Sequence, residues 1–196
     1  AYLTGKICEI AHPSLCNDAK AALGIVTALG AQLDKRPDAI RFTPGAQKSA
    51  PVLDCGESGL CMRMFPSIAA LRPETITLTG RGSLASRPLD MIVQPLRDLG
   101  VVCQTNNGFA PVAVTGPLQA GKTVVDASVT SQFLTGLLMA LPLCQGTSEI
   151  TVKNLKSTPY IAMTLHLLEQ FGIQIEHDQF TRFVIHGPQA YQPHTY

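Results

Sequence analysis

A pattern of apolar and polar residues recurs three times along this chain. The end of an apolar helix is followed by a glycine and then by two segments in which apolar side chains alternate. The glycines, Gly30, Gly100 and Gly172, lie 70 and then 72 residues apart. Each is suited to the left-handed position that follows a helix C terminus, and each alternating segment is typical of a strand pair. The pattern therefore predicts an internal repeat.

The rest of each period agrees with this repeat. Before the third glycine, the sequence predicts a strand near 123–126, a helix over 131–143, a strand near 149–153 and a helix opened by Pro159. The preceding period predicts the same order, with a strand near 52–54, a helix over 58–71, a strand near 75–79 and a helix opened by Pro88. Proline is favoured at the first helical position because its missing N–H has no partner there.

The chain thus contains two complete β-α-β-α-β-β units, at 52–117 and 122–188, and the later half of a third at 1–45. Since one such unit cannot bury its apolar face alone, we expect the units to pack into a single α/β (α+β) domain over 1–196. Residues 189–196 are interpreted as a tail leading towards a second domain. We also expect the chain to be truncated at both ends, with the strand and helix missing from the first unit lying upstream or supplied from elsewhere.

Composition narrows the class of protein. The 196 residues are 45% hydrophobic, and 15 Lys+Arg balance 14 Asp+Glu without a basic run, so we expect no nucleic-acid partner. No apolar run is long enough to span a membrane, and residues 1–5 do not resemble a signal peptide. The six cysteines and five histidines lack metal-ligand spacing. We expect buried thiols in the reducing cytoplasm and neither metal nor cofactor.

Candidate chemistry is concentrated where a strand meets the predicted helix over 131–143. Thr130, Ser131 and Gln132 follow the strand and directly precede a long apolar run. A helix N terminus presents free N–H groups and a positive dipole end, and two hydroxyls with an amide add neutral donors. This corner therefore predicts a site for phosphate or carboxylate. The alternative is that Thr130 or Ser131 serves only as an N-cap.

Corresponding corners of the repeat also carry polar residues. One helix opens near Gly59, and the others open after Arg87 and after Ser157. Convergent helix N termini with an arginine among them would form an anion pocket. Each residue has an alternative role: Gly59 as a site of close helix packing, Arg87 as a solvated charge, Ser157 as an N-cap. Arg63 is interpreted as an exposed helix charge.

These corners resemble a known family. Residues 54–63, 86–89, 129–135 and 157–160 are similar, in order and spacing, to the 5-enolpyruvylshikimate-3-phosphate synthase family, the 3-phosphoshikimate 1-carboxyvinyltransferases. The resemblance implies a fold of two inside-out α/β barrels, each built from three β-α-β-α-β-β units. This chain would be most of the N-terminal domain, with the C-terminal domain as its missing partner.

The activity implied by the resemblance is a step of the shikimate pathway, which leads to chorismate and the aromatic amino acids. The enolpyruvyl group of phosphoenolpyruvate passes to the 5-hydroxyl of shikimate 3-phosphate through a tetrahedral intermediate, with release of phosphate and without a metal. By motif, Thr130, Ser131, Gln132 and Ser157 would hold shikimate 3-phosphate, with Tyr160 near its ring. The phosphoenolpyruvate site would comprise Gly59, Arg87 and Gln132.

No catalytic residue is expected within this chain. The resemblance places the groups that transfer protons in the second domain, and a phosphate-binding Pro-Ser-Lys-Ser motif before Ala1, so the isolated chain is expected to be inactive. The sequence also departs from the family at Glu57 and Leu60, where a neutral amide and a hydroxyl are expected. Two alternatives therefore stay open: a UDP-N-acetylglucosamine enolpyruvyl transferase of the same fold, and a degenerate binding module without catalysis.

Overall fold

The computed structural model describes residues 1–46 and 50–195, which form helices and sheets in alternation along the chain. The strands are β1 (Cys8–Ala11), β2 (Gln32–Lys35), β3 (Ala39–Thr43), β4 (Val52–Asp54), β5 (Thr75–Thr79), β6 (Val102–Asn106), β7 (Phe109–Thr115), β8 (Lys122–Asp126), β9 (Gly146–Lys153), β10 (Glu176–Asp178) and β11 (Arg182–Gly187). The helices are α1 (Asn17–Ala28), α2 (Gly59–Ala69), α3 (Val93–Asp98), α4 (Gln132–Ala140) and α5 (Thr158–Gln170).

The sheets repeat one strand order. The second sheet runs β4-β5-β7-β6 and the third runs β8-β9-β11-β10, each with one parallel pair at its start and antiparallel pairs after it. The first sheet, β1-β3-β2, has the order of the last three strands of the others. Within residues 1–46 and 50–195 the strands form these three separate sheets and no closed barrel.

The glycines that mark the repeat close their helices as predicted. Gly30, Gly100 and Gly172 follow the C-terminal residues of α1, α3 and α5, with φ of 115°, 81° and 78°. A side chain at these positions would be strained in that conformation. The predicted strands β4 and β5 are confirmed at their expected bounds, and the helix predicted over 131–143 is present as α4 followed by a 3₁₀ turn at Leu141–Leu143.

The helix predicted to open at Pro88 was placed wrongly. A 3₁₀ turn covers Gly82–Ser86, Pro88 lies outside any helix, and α3 begins only at Val93 after a second 3₁₀ turn. The reason lies at Leu89, whose N–H donates to the carbonyl of Gly108 at 2.8 Å and whose side chain is fully buried. This contact with the β6–β7 turn keeps Leu89, with φ −130° and ψ 6°, out of a helical conformation where a helix would otherwise start.

Helices α2 and α4 lie inside the molecule and the sheets lie outside them. Nine of the 11 residues of α2 and six of the nine residues of α4 are buried, whereas β8 alternates between exposed and buried positions. A helix that is buried nearly all round belongs to a core. None of the helices in the described ranges is long and apolar enough to cross a membrane.

Two predictions about individual segments need comment. Five cysteines are buried as expected, but Cys16 is exposed at the start of α1, so its prediction as a buried thiol was wrong. In the tail, Tyr191 is buried and donates to the carbonyl of Met139 at 2.6 Å, and Thr195 pairs with Glu9 of β1. Tyr196, the last residue of the predicted tail, lies outside the described residues.

Candidate functional site

Ser58 caps the N terminus of α2 at the corner between β4 and α2. Its backbone is extended (φ −76°, ψ 104°), and its hydroxyl accepts the N–H of Cys61 at 3.1 Å. Before it, Gly56 turns the chain with φ of 58°, and the carboxylate of Asp54 accepts the N–H of Gly56 at 2.7 Å. Ser58 thus takes the N-cap role, and Gly59 becomes the first residue of the helix.

Gly59 lies under two guanidinium groups. A Cβ atom added to it would come within 2.8 Å of an Nη1 of Arg87 and 3.0 Å of an Nη1 of Arg63. Both distances are shorter than ordinary contacts, so the absence of a side chain here lets the two arginines approach the helix. The alternative that Gly59 only allows helices to pack closely does not fit, because its neighbours are arginine head groups.

Arg63 is buried, which corrects its interpretation as an exposed helix charge. Only 7% of the residue is exposed, and its Nη1 donates to Oε1 of Gln132 at 3.2 Å, while its Nε is buried without a hydrogen-bond partner. Burial lowers the pKa of Arg63, and the neighbouring charge of Arg87 adds to this. Burial of a charge is costly unless something compensates it.

Arg87 is exposed and held by its loop. Its Nη2 donates to the hydroxyl of Ser83 at 3.2 Å, within the 3₁₀ turn that precedes it. Across the described ranges, neither Arg63 nor Arg87 has a carboxylate within 4.0 Å. Two neighbouring guanidinium groups without a counter-ion favour an anion between them.

The corner before α4 presents three polar residues in different ways. Thr130 accepts the N–H of Gln132, the first residue of α4, on its hydroxyl oxygen at 3.2 Å, which is a capping-type bond at the helix start. Ser131 occupies the N-cap position and is 5% exposed, but its side chain makes no capping hydrogen bond. The N-cap alternative therefore accounts for the hydroxyl of Thr130 but not for that of Ser131.

Ser157 and Tyr160 lie at the start of α5. Ser157 is half-buried at the N-cap position without a side-chain capping bond, and Tyr160 is 65% exposed. A chain of hydroxyl contacts joins this helix to α4: Thr164 donates to the carbonyl of Tyr160 at 2.9 Å and lies 3.4 Å from the hydroxyl of Thr135. The described contacts join Arg87 and Arg63 at Gly59 and join Arg63 to Gln132, whereas Tyr160 is linked to α4 through this chain of hydroxyl contacts.

Glu57 is turned towards a neighbouring loop. A Cβ atom at Gly82 would come within 2.8 Å of both the Cδ and an Oε1 of Glu57, so the carboxylate lies against this turn. Leu60 is partly exposed, at 36%, beside Gly59. The carboxylate that departs from the family pattern is therefore at the rim of the corner, in contact with the loop that leads to Arg87.

Sequence reasoning missed Arg63 as a member of this cluster. One signal could have identified it: Arg63 follows Gly59 by four residues, which places the two on one helix face.

A further feature of the site is that, in the part of the chain that the structure describes, no group of three or more His, Cys, Asp or Glu side chains could hold a metal ion.

Comparisons with known proteins agree on one family. The family model described as EPSP synthase (3-phosphoshikimate 1-carboxyvinyltransferase) matches residues 1–196. The 3-phosphoshikimate 1-carboxyvinyltransferase of Methanococcoides burtonii is 36% identical over 191 residues, which cover 93% of this chain and 45% of that protein. The protein of the same name from Klebsiella pneumoniae is 36% identical over 185 residues, which cover 90% of this chain and 43% of that protein.

A solved structure is similar in fold. The EPSP synthase from Acinetobacter baumannii superposes with a TM-score of 0.82 at 20% identity, covering 99% of this chain and 45% of that one. The chain therefore spans slightly less than half the length of the curated relatives and the solved structure that it matches.

Proposed function

Because the chain belongs to the EPSP synthase (3-phosphoshikimate 1-carboxyvinyltransferase) family, we propose that it forms one wall of a site for phosphoenolpyruvate and shikimate 3-phosphate. In the reaction, the 5-hydroxyl oxygen of shikimate 3-phosphate loses its proton and bonds to C2 of phosphoenolpyruvate, whose methylene carbon gains a proton. The tetrahedral intermediate then loses phosphate from C2 and a proton from the new methyl group, which leaves the enolpyruvyl ether.

The observation that carries this proposal is the pair of guanidinium groups over Gly59. Phosphoenolpyruvate bears a phosphate and a carboxylate, and arginine binds both kinds of group through paired N–H donors. Arg63 and Arg87 lack carboxylate partners within the described ranges, and the amide of Gln132 lies beside Arg63. Gly59, Arg87 and Gln132 are thus proposed to hold phosphoenolpyruvate, and Arg63 joins them.

Shikimate 3-phosphate is proposed to bind along the starts of α4 and α5. The side chains of Ser131 and Ser157 make no capping bond, the hydroxyl of Thr130 accepts the N–H of Gln132 and keeps its own proton to donate, and the helix dipole favours a phosphate there. Tyr160 is exposed enough to cover a shikimate ring. Gln132, between the two ligands, would contact both.

Turnover is proposed to require a second domain. Stabilisation of charge and transfer of protons need groups placed around the reacting atoms, and this chain spans 45% of the matched relative from Methanococcoides burtonii. We therefore propose a C-terminal domain as the opposite wall, and a cytoplasmic location for the complete protein.

A titration with both ligands tests the site. In the native full-length protein, Ser131→Ala and Gln132→Ala should each weaken binding of shikimate 3-phosphate by about ten-fold, since one hydrogen bond to a charged group contributes about 1.5 kcal/mol or more. Gln104→Ala, which changes an exposed glutamine of β6, is the matched control and should bind normally. Equal affinities in all three variants would reject the proposed corner.

Glu57 favours a second candidate, a binding module without catalysis, because its carboxylate stands at the rim of the anion site. The two candidates are separated by an assay of the native full-length protein with phosphoenolpyruvate and shikimate 3-phosphate. Release of phosphate coupled to formation of the enolpyruvyl ether supports the enzyme. Binding of both ligands without any release of phosphate supports the module.

A further inference from the structure

Two arginines are buried among the described residues, and their charges are compensated in different ways. Arg72, 4% exposed, lies 3.5 Å from the carboxylate of Glu74 and donates to the hydroxyl of Tyr2 at 3.0 Å and to the carbonyl of Leu29 at 2.6 Å. Arg63, 7% exposed, has no carboxylate within 4.0 Å in the described ranges, and its Nε has no partner. The environment of Arg72 is that of a structural arginine, whereas Arg63 keeps unused hydrogen-bonding capacity beside Gly59.

The contact between Arg63 and Gln132 determines how the carboxamide is oriented. A guanidinium group only donates hydrogen bonds, so the atom of Gln132 that lies 3.2 Å from Nη1 must be the amide oxygen. The amide nitrogen then points away from Arg63. If the carboxamide were turned over, its NH₂ group would face the guanidinium group, and donors would meet donors. The backbone of Gln132 is fixed separately, because its N–H donates to Thr130.

We propose that Arg63 is a positioning residue, which holds the carboxamide of Gln132 with its nitrogen towards the ligand and so makes this corner selective for anionic oxygen atoms. With its oxygen occupied, Gln132 offers the ligand two N–H donors and no acceptor. Phosphate and carboxylate oxygens accept such bonds. The hydroxyl group of a neutral ligand would not find the amide oxygen of Gln132 turned towards it to accept its proton. The inference rests on the proposed function for the identity of the anion, phosphoenolpyruvate.

The geometry of arginine suits this role better than a point charge would. One Nη1 reaches Gln132 and the same atom lies 3.0 Å from the position of a Cβ at Gly59, so a single head group spans the starts of α2 and α4. Lysine carries one nitrogen on a shorter reach and cannot keep a fixed fork. Arg63→Lys should therefore keep much of the positive charge but leave the carboxamide free to turn.

A double-mutant cycle on the native full-length protein tests the inference, with phosphoenolpyruvate affinity as the measurement. Arg63→Met and Gln132→Met should each weaken binding by about ten-fold, in line with the loss of one charge-assisted hydrogen bond. Because Arg63 acts through Gln132 as well as through its own charge, the loss in the double variant should be clearly smaller than the product of the two single losses. Losses that multiply to about a hundred-fold would overturn the inference, because Arg63 would then act independently.

Two further measurements keep the outcome clear. If Arg63→Met does not fold, as judged by its thermal unfolding, the cycle is run with Arg63→Lys, for which the same non-additive result is expected. In nitrogen-15 spectra of the ligand-free protein, the side-chain NH₂ signals of Gln132 should lie away from those of solvent-exposed glutamines in the wild type and should shift towards them in Arg63→Lys; unchanged chemical shifts would overturn the inference. Absence of phosphoenolpyruvate binding by the wild type would overturn the proposed function as well, whereas multiplicative losses with intact wild-type binding overturn this inference alone.

Discussion

Gly59→Ala adds a single methyl group at the point where two guanidinium groups approach α2. The new Cβ atom would lie 2.8 Å from Arg87 and 3.0 Å from Arg63, whereas ordinary contacts begin at 3.4 Å. The head groups must therefore retreat by about 0.6 and 0.4 Å, and the methyl group would occupy part of the space that we assign to the anion. Arg87 is exposed and can move, but Arg63 is enclosed.

The effect on stability should be small. Gly59 is the first residue of α2 and its φ is not in the left-handed region, so alanine adopts the same backbone without strain. Alanine is favoured over glycine by about 1 kcal/mol inside a helix and by less at its first residue. Since displacing an exposed arginine costs little, the free energy of unfolding should stay within about 1 kcal/mol of the wild type.

The effect on binding should be large. An anion between Arg63 and Arg87 would lose the alignment of at least one charge-assisted hydrogen bond, which is worth about 1.5–3 kcal/mol, so the affinity for phosphoenolpyruvate should fall about 10- to 100-fold. Calorimetric titration measures the affinity and urea unfolding measures the stability, both on the native full-length protein.

Gly24→Ala is the matched control. Gly24 is exposed in the middle of α1, and a Cβ atom there would have no neighbour within 4 Å. This variant should gain about 0.5–1 kcal/mol in unfolding free energy and bind phosphoenolpyruvate normally. Wild-type affinity in Gly59→Ala would refute the reasoning, because the anion could not then lie between the two arginines.

Three other perturbations follow from the same structure. Gly136→Ala should destabilise the protein by roughly 1–3 kcal/mol or more in urea unfolding, because its Cβ atom would lie 2.5 Å from the backbone carbonyl of Met64, which cannot move aside; an unchanged midpoint would contradict this. Glu57→Gln should raise the affinity for phosphoenolpyruvate by up to about five-fold, since repulsion between the anion and an exposed carboxylate costs about 1 kcal/mol or less. A weaker affinity in this variant would show that Glu57 assists binding. Burial raises the pKa of Cys103 and Cys144 from 9.0 to about 11, so unfolded thiols ionise first and the free energy of unfolding should fall as pH rises from about 9 to 11. Urea midpoints at pH 8 and pH 11 measure this, and a double alanine variant of the two cysteines should reduce the dependence.

The sequence predicted the parts of the fold that depend on local pattern. Strand β4 begins with two apolar residues, and strand β5 alternates threonine with apolar residues. The glycines after α1, α3 and α5 stop their helices for a reason intrinsic to glycine. The helix start near Pro88 was misplaced because its true position depends on the contact between Leu89 and Gly108, which lie 19 residues apart along the chain. No rule based on neighbouring residues contains that contact.

Arg63 was missed for a related reason. Charged residues in the first turns of a helix are usually solvated, and the exposure of Arg63 depends on what covers α2. Besides its spacing from Gly59, a second signal lies in its sequence neighbours. Leu60, Cys61, Met62, Met64 and Phe65 are all apolar, as in a helix buried on all sides. A charge within such a helix must be compensated in the core, and here the compensation comes from Gln132 of another repeat unit.

The site is a consequence of the repeat more than of any one motif. In each complete unit, an inner helix connects the two parallel strands, α2 between β4 and β5 and α4 between β8 and β9. Helices α2 and α4 pack so closely that Gly136 has no room for a side chain beside Met64. Their first turns are joined by Arg63 and Gln132, and the start of α1 is near as well, since the carbonyl of Asp18 lies 3.7 Å from the thiol of Cys61. Helices that start together direct free N–H groups and positive dipole ends at one place. Two arginines without carboxylate partners in the described ranges add charge to that place, and the resulting field favours an anion before any family resemblance is considered.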